Sequence, residues 1–184
     1  MINDTLKALF ERSSIRRFTD EPLTGDQLDT LARAALASPS GMDAQPWHFV
    51  FVTDPAAISA VSEGALDTFR RAGNQTVLDR VASRHASLFY GAPLVVFITL
   101  PVSASTVEAG IAAQTLALAA QSMGLGSCII GLAGAAFSGD TGDVTARRIG
   151  IPDGHAFALS VAIGHPAMSK AQHAAHPEKI TWIR

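Results

Sequence analysis

At 184 residues the chain is long enough for one domain with a substantial core, and one domain over residues 1–184 is the expectation. Charged residues make up only 16%, against about 25% in an average globular domain, apolar residues reach 48% and the mean hydropathy is +0.24, so more surface than usual asks to be buried and oligomerisation would bury it. A net charge of −2 excludes a chain-wide positive field for nucleic acid, and the single cysteine, Cys128, excludes an intrachain disulfide and any CxxC motif.

Asn3 and Asp4 are caps for a short helix carrying Leu6, Leu9 and Phe10 and ending near Arg12. The compact segment Arg12-Ser13-Ser14-Ile15-Arg16-Arg17-Phe18 follows. Thr24 and Gln27 form a capping box ahead of Leu28, Leu31, Ala32, Ala35 and Leu36, which predicts helix over 24–37. Pro39 stops it, and a Pro- and Gly-bearing loop, 38–47, feeds the strand-length run His48 to Val52. Asp54 and Pro55 open a helix with Ile58, Val61, Ala65 and Phe69 on one face, and a further helix is predicted from Thr76 to Leu88.

Leu94 to Leu100 is a continuous Val-, Ile- and Phe-rich run, the pattern of a central strand buried on both faces. Ser105 and Glu108 read as a second capping box before a helix apolar around most of its circumference, through Met123, that Gly124-Leu125-Gly126 ends. Phe157 to Ile163 reads as the last core strand, Ile180-Thr181-Trp182-Ile183 as an added terminal strand, and Trp47 and Trp182 as packing residues. No run approaches the roughly 20 apolar residues needed to cross a bilayer, which with the lone cysteine points to a soluble, cytoplasmic protein.

Three arginines and two serines within Arg12–Arg17 suit one phosphate monoester, since guanidinium forks pair with phosphate oxygens and hydroxyls add neutral donors; the alternative is a solvated basic face. No P-loop and no GxSxG occurs, and Gly124 and Gly126 follow a helix, so the strand-turn-helix context of dinucleotide binding fails. His173 and His176 lack further ligands at metal-site spacing, so no metal is expected. Cys128, between a glycine turn and apolar residues, reads as a packing residue.

Arg12-Ser13-Ser14-Ile15-Arg16-Arg17-Phe18, Ser38-Pro39-Ser40-Gly41, Gln45-Pro46-Trp47-His48-Phe49, Phe89-Tyr90-Gly91-Ala92-Pro93, Gly110 to Gln114 with Met123 to Cys128, and Ile151 to His155 with Gly164-His165-Pro166 together resemble the FMN-dependent nitroreductase family, in order and spacing and over nearly the whole chain. The resemblance implies an α+β fold, a mixed central sheet flanked by helices, in an intertwined homodimer with FMN at the interface. It implies that Arg12, Ser13 and Ser14 hold the phosphate and ribityl chain and that Arg16 approaches the N1 and O2 edge of the ring. It implies further that Pro39, Ser40, Gly41, Asp43 and Gln45 come from the other subunit, and that Cys128, Ile129, Ile130 and Gly131 lie near flavin N5.

Two departures stand out. Asp43 replaces the family's usual asparagine, with its carboxylate expected to face backbone or solvent. The basic residue usual near the C-terminus is missing from Gln172 to Pro177, where His173 is a partial substitute, giving FMN affinity that is weaker or that falls as pH rises through the imidazole range. The implied activity is ping-pong electron transfer from NADH or NADPH through FMN to a nitroaromatic, quinone or similar small acceptor. The alternatives are flavin storage or sensing without turnover, and a reductive dehalogenase or small-metabolite reductase of the same fold with a lid over Glu63 to His85, carrying Arg70, Arg71, Arg80 and Arg84.

Overall fold

The computed structural model describes residues 2–84, 87–139 and 142–184. Six α-helices and four strands are seen among them: α1 (Asp4–Glu11), α2 (Gly25–Leu36), β1 (His48–Val52), α3 (Pro55–Arg71), α4 (Gln75–Ala82), β2 (Leu94–Pro101), α5 (Val107–Ser122), β3 (Gly126–Ile130), α6 (Gly142–Ile149) and β4 (His155–Gly164). The strands pair in the order β1-β2-β4-β3, all antiparallel, and the parallel component is one bridge, Ser14 to Ser127, at the β3 edge. This is the α+β class.

β2 shows why the sheet is central. Its residues alternate between two cores, as a period of two dictates: Val95 and Phe97 join Val61, Ala65, Cys128 and Ala162 on one face, while Leu94, Val96, Ile98 and Leu100 join Leu31, Ala112 and Leu116 on the other. Helices α3, α4 and α6 cover the first face and α2 and α5 the second. Phe97 is fully buried, with its ring edge-on to Phe89 at 5.8 Å, Phe137 at 6.1 Å and Phe157 at 6.4 Å. A Phe97→Ala variant is expected to lose about 3–5 kcal/mol of stability, read from the midpoint of urea unfolding.

Local signals fixed several boundaries. Thr24 caps α2 with the reciprocal Gln27 bond, at 3.2 and 2.8 Å, Asn3 caps α1, and Asp54 caps α3 with Pro55 in its first turn. Others fell elsewhere. Ser105 and Glu108 form no capping box: Thr106 is the N-cap, without a side-chain bond, and Ser105 Oγ accepts from Val107 N at 3.3 Å. Helix α4 ends at Ala82, where Ser83 and Arg84 donate back to Asp79 and Val81 carbonyls and close the turn. Leu88 instead accompanies a buried turn, its N–H donating to Ser62 Oγ. His85, the end of the expected lid, lies outside the described residues.

The C-terminal segment departs most from expectation. Residues 180–184 form no strand within the chain, and every residue from 169 to 184 is exposed. Trp47 does pack, buried against Phe49, whereas Trp182 remains 72% exposed. No helix among the described residues is long and apolar enough to cross a membrane.

Candidate functional site

The Arg12–Arg17 segment is held against the sheet from two sides. Ile15 N donates to Ser127 O at 2.9 Å, and the buried Ile15 side chain lies where any Cβ at Gly126 would come within 3.0 Å of it, so only glycine lets the segment close onto β3. On the other side Arg16 N donates to Met168 Sδ, Arg17 and Ala167 exchange backbone and side-chain bonds at 2.9 Å, and Thr19 N donates to His165 O. Ile15 and Phe18 are buried while Arg12, Ser13, Ser14 and Arg16 are half-buried and Arg17 is exposed. Extended backbone thus buries the apolar side chains and leaves the cationic ones at the rim.

A cavity of about 440 Å³ opens there, lined by Arg16, Arg17, Ser83, Arg84, Met168 and Lys170. Burial pushes the Cys128 thiol up from its ordinary value, and the charges of Arg16, Lys170, Arg84 and Arg12 pull partly against it. Cys128 and Ile130 are buried in the core, as packing residues, while Ile129 and Gly131 are exposed on the β3 edge. Arg84 comes from the segment expected as a lid, and Lys170 carried no role in the sequence reading. Lys170 stands four residues past the Gly164-His165-Pro166 motif. His173 lies in the exposed segment beyond it.

The loop 38–47 is elsewhere. Met42, Asp43 and Gln45 all have positive φ (53°, 54° and 45°), a conformation that costs non-glycine residues about 1–3 kcal/mol each. Ser40 Oγ accepts from Gln45 N at 2.8 Å, and Asp43 Oδ1 accepts from Gln45 Nε2 at 2.8 Å, so the Asp43 carboxylate is engaged within its own loop. Pro39, Gly41, Asp43 and Gln45 are exposed.

This loop enters β1 at His48, which pairs with Thr99; Thr99 pairs with Phe157 at the start of β4, whereas Gly126 of β3 pairs with Gly164 at its end. The loop and the arginine segment therefore occupy diagonal corners of the sheet, roughly four strand spacings of about 4.8 Å apart in one direction and about 20 Å in the other. A larger cavity, about 750 Å³, includes Asp20, Leu23, Ile58, Glu63 and Pro93 in its wall and none of the anticipated site residues. Among the described residues no cluster of three His, Cys, Asp or Glu is placed to hold a metal ion.

An antiparallel four-stranded sheet between helical layers, with an arginine-serine segment and a cation-lined cavity at one edge, defines an α+β protein with a cationic edge. Residues 9–165 match the model of the nitroreductase family. The NADPH-flavin oxidoreductase of Vibrio harveyi is 31% identical over 175 residues, covering 90% of this chain and 67% of that protein. The FMN reductase (NADPH) of Bacillus subtilis (strain 168) is 30% identical over 172 residues, with the same coverage. A nitroreductase crystallised with bound FMN from Desulfitobacterium hafniense DCB-2 superposes with a TM-score of 0.95 at 34% identity, covering 100% of both chains. The chain belongs to the nitroreductase family.

Proposed function

We propose that this chain is an FMN-dependent oxidoreductase that takes hydride from NAD(P)H and passes electrons to a small organic acceptor, working in the cytoplasm as a homodimer of single-domain subunits, residues 1–184. The observation that carries this reading is the convergence of Arg12, Ser14, Arg16 and Lys170 on one edge of β3 in a chain otherwise poor in charge. That donor set fits FMN: cations and hydroxyls for a phosphate monoester, and a guanidinium for the ring edge that becomes negative on reduction. Relatives named as flavin and FMN reductases, and a near-superposable structure holding FMN, support the same cofactor.

When bound, FMN supplies the redox chemistry, accepting hydride from NAD(P)H and, once the nucleotide has left, reducing a nitroaromatic, quinone or similar acceptor. The protein's residues bind and orient. Arg12, Ser13 and Ser14 hold the phosphate and ribityl chain with Lys170, and Arg16 holds the N1 and O2 edge. The β3 edge at Ile129 and Gly131 faces the reacting side, with Cys128 and Ile130 packing beneath it. Pro39, Ser40, Gly41, Asp43 and Gln45 complete the site from the second subunit, because within one chain they stand at the opposite corner of the sheet.

Lys170 takes the place of the C-terminal cation sought at His173. Lys170→Gln is expected to weaken FMN binding about ten- to a hundredfold, the worth of one charge-assisted hydrogen bond, and His173→Ala to weaken it less. Flavin fluorescence titration of both variants reads this, and a larger loss in His173→Ala reverses the assignment.

The experiment that tests the function is an absorbance spectrum of the dialysed protein followed by anaerobic titration with NADPH and then NADH. Oxidised-flavin bands that bleach and return with an acceptor are expected. Bands that persist identify a flavin-binding protein without turnover, and a colourless protein that takes up no FMN overturns the reading.

A further inference from the structure

The cation-lined cavity carries more positive charge than FMN uses. Apart from the Ser83 hydroxyl its polar lining is cationic, with Arg16, Arg17, Arg84 and Lys170 and no carboxylate, in a chain that holds 14 basic against 16 acidic residues. FMN brings a phosphate of about −2 and one further negative charge on reduction, which Arg12, Arg16 and Lys170 together balance. Arg17 and Arg84 are left over.

Neither of those two arginines forms an ion pair with a carboxylate among the described residues. Both are anchored. Arg17 Nε donates to Ala167 O at 2.9 Å, which fixes the side chain and leaves its terminal nitrogens available, and Arg84 N donates to Val81 O at 2.9 Å in the turn that ends α4. The half-buried Met168, whose Sδ accepts from Arg16 N, lines the same cavity and adds a polarisable apolar side chain to it. Two guanidiniums without a carboxylate partner and a thioether in one cavity suit a second phosphate monoester joined to a flat ring.

We propose that Arg84 and Arg17 bind the 2′-phosphate of NADPH, with Met168 against the adenine, so that this cavity sets a preference for NADPH over NADH. The two nucleotides differ only by that phosphate, and guanidinium forks pair with phosphate oxygens through two parallel bonds. The inference rests on the flavin reading above, since it names the reductant of that same site.

The shared chemistry, a phosphate monoester, could also be FMN's own, and the test separates the sources. The FMN-loaded wild type, Arg84→Gln, Arg84→Lys and Arg17→Gln are compared for kcat/KM with NADPH and NADH, for displacement of NADPH by 2′,5′-ADP and by 5′-AMP, and for FMN affinity. Circular dichroism checks that each variant is folded. The expected result is a wild-type preference for NADPH of at least tenfold, tighter competition by 2′,5′-ADP than by 5′-AMP, a preference at least tenfold smaller in Arg84→Gln, and partial recovery in Arg84→Lys.

An unchanged NADPH/NADH ratio in both glutamine variants, with the two competitors equal, overturns the inference. So does a loss of FMN affinity in Arg84→Gln with the ratio unmoved, because that gives the guanidinium to the flavin. Wild-type protein that takes up no FMN is a different failure, that of the flavin reading itself.

Discussion

An Arg16→Leu variant is expected to retain its fold and to reduce its flavin about a hundredfold more slowly with NAD(P)H, the loss seen when one preorganised donor is withdrawn from a developing negative charge. With FMN bound, reduction would make the N1 and O2 edge of the ring negative, the edge where the proposed site puts Arg16. The side chain is half-buried, so its charge is less screened than a surface one. A hundredfold loss corresponds to about 2.7 kcal/mol, or roughly 60 mV in the two-electron potential of the bound flavin.

Potentiometry therefore gives a reading independent of turnover. A lower potential with FMN affinity nearly intact is the expected pattern, and Arg16→Lys should recover part of it because a point charge replaces the fork. Unaltered potential and rate would remove Arg16 from the flavin edge. A second readout is Cys128: Arg16 is the first of the charges that draw the buried thiol back down, so Arg16→Leu should leave that thiol still harder to ionise and slower to alkylate. A residue that acted only by packing would move neither quantity.

Why some of this was legible in sequence and some was not follows from the range of each interaction. Thr24 and Gln27 are three residues apart and their reciprocal bonds need nothing beyond one helical turn, so the start of α2 could be read directly. The double-sided burial of β2 was equally plain, because an uninterrupted apolar run has no polar face to show solvent. Ser105 and Glu108 satisfied the same local pattern as Thr24 and Gln27, yet Thr106 took the N-cap. Glu108 now lies with Oε2 buried and Oε1 3.6 Å from where a Cβ on Gly41 would sit, so tertiary packing prevailed over a cap.

The cation cavity was harder. Arg16, Arg84 and Lys170 are brought together by the turn after α4 and by the backbone bonds that tie 165–168 to 16–19, and no periodicity in the sequence reports such closure. The arginine-serine segment and the Pro39 to Gln45 loop were each recognisable, but their separation across the sheet could be seen only once the strand order was known. That separation turns two motifs in one chain into an argument for two chains.

The same argument yields the other large effect: deleting residues 180–184 is expected to convert the proposed dimer to monomers and to strip most of the FMN it would hold. Ile180 is 59% exposed, Trp182 72% and Ile183 96%, on a segment that makes no strand with its own chain. An apolar side chain fully buried contributes about 1.5–3 kcal/mol. Covering these three against a second subunit, after the cost of ordering the segment, leaves about 4 kcal/mol per tail, and the loss of even one tail's worth is about a thousandfold in the dissociation constant. Sedimentation across a concentration series, with absorbance near 450 nm recorded in the same cell, follows assembly and flavin together. If the loop bearing Ser40 and Gln45 completes the site from the partner, FMN must leave as the monomer appears, and both curves share one midpoint. Flavin retained by a monomer would show that one chain holds the cofactor unaided, whereas a truncated protein that stays dimeric at wild-type affinity would show that the apolar tail is not what joins the subunits.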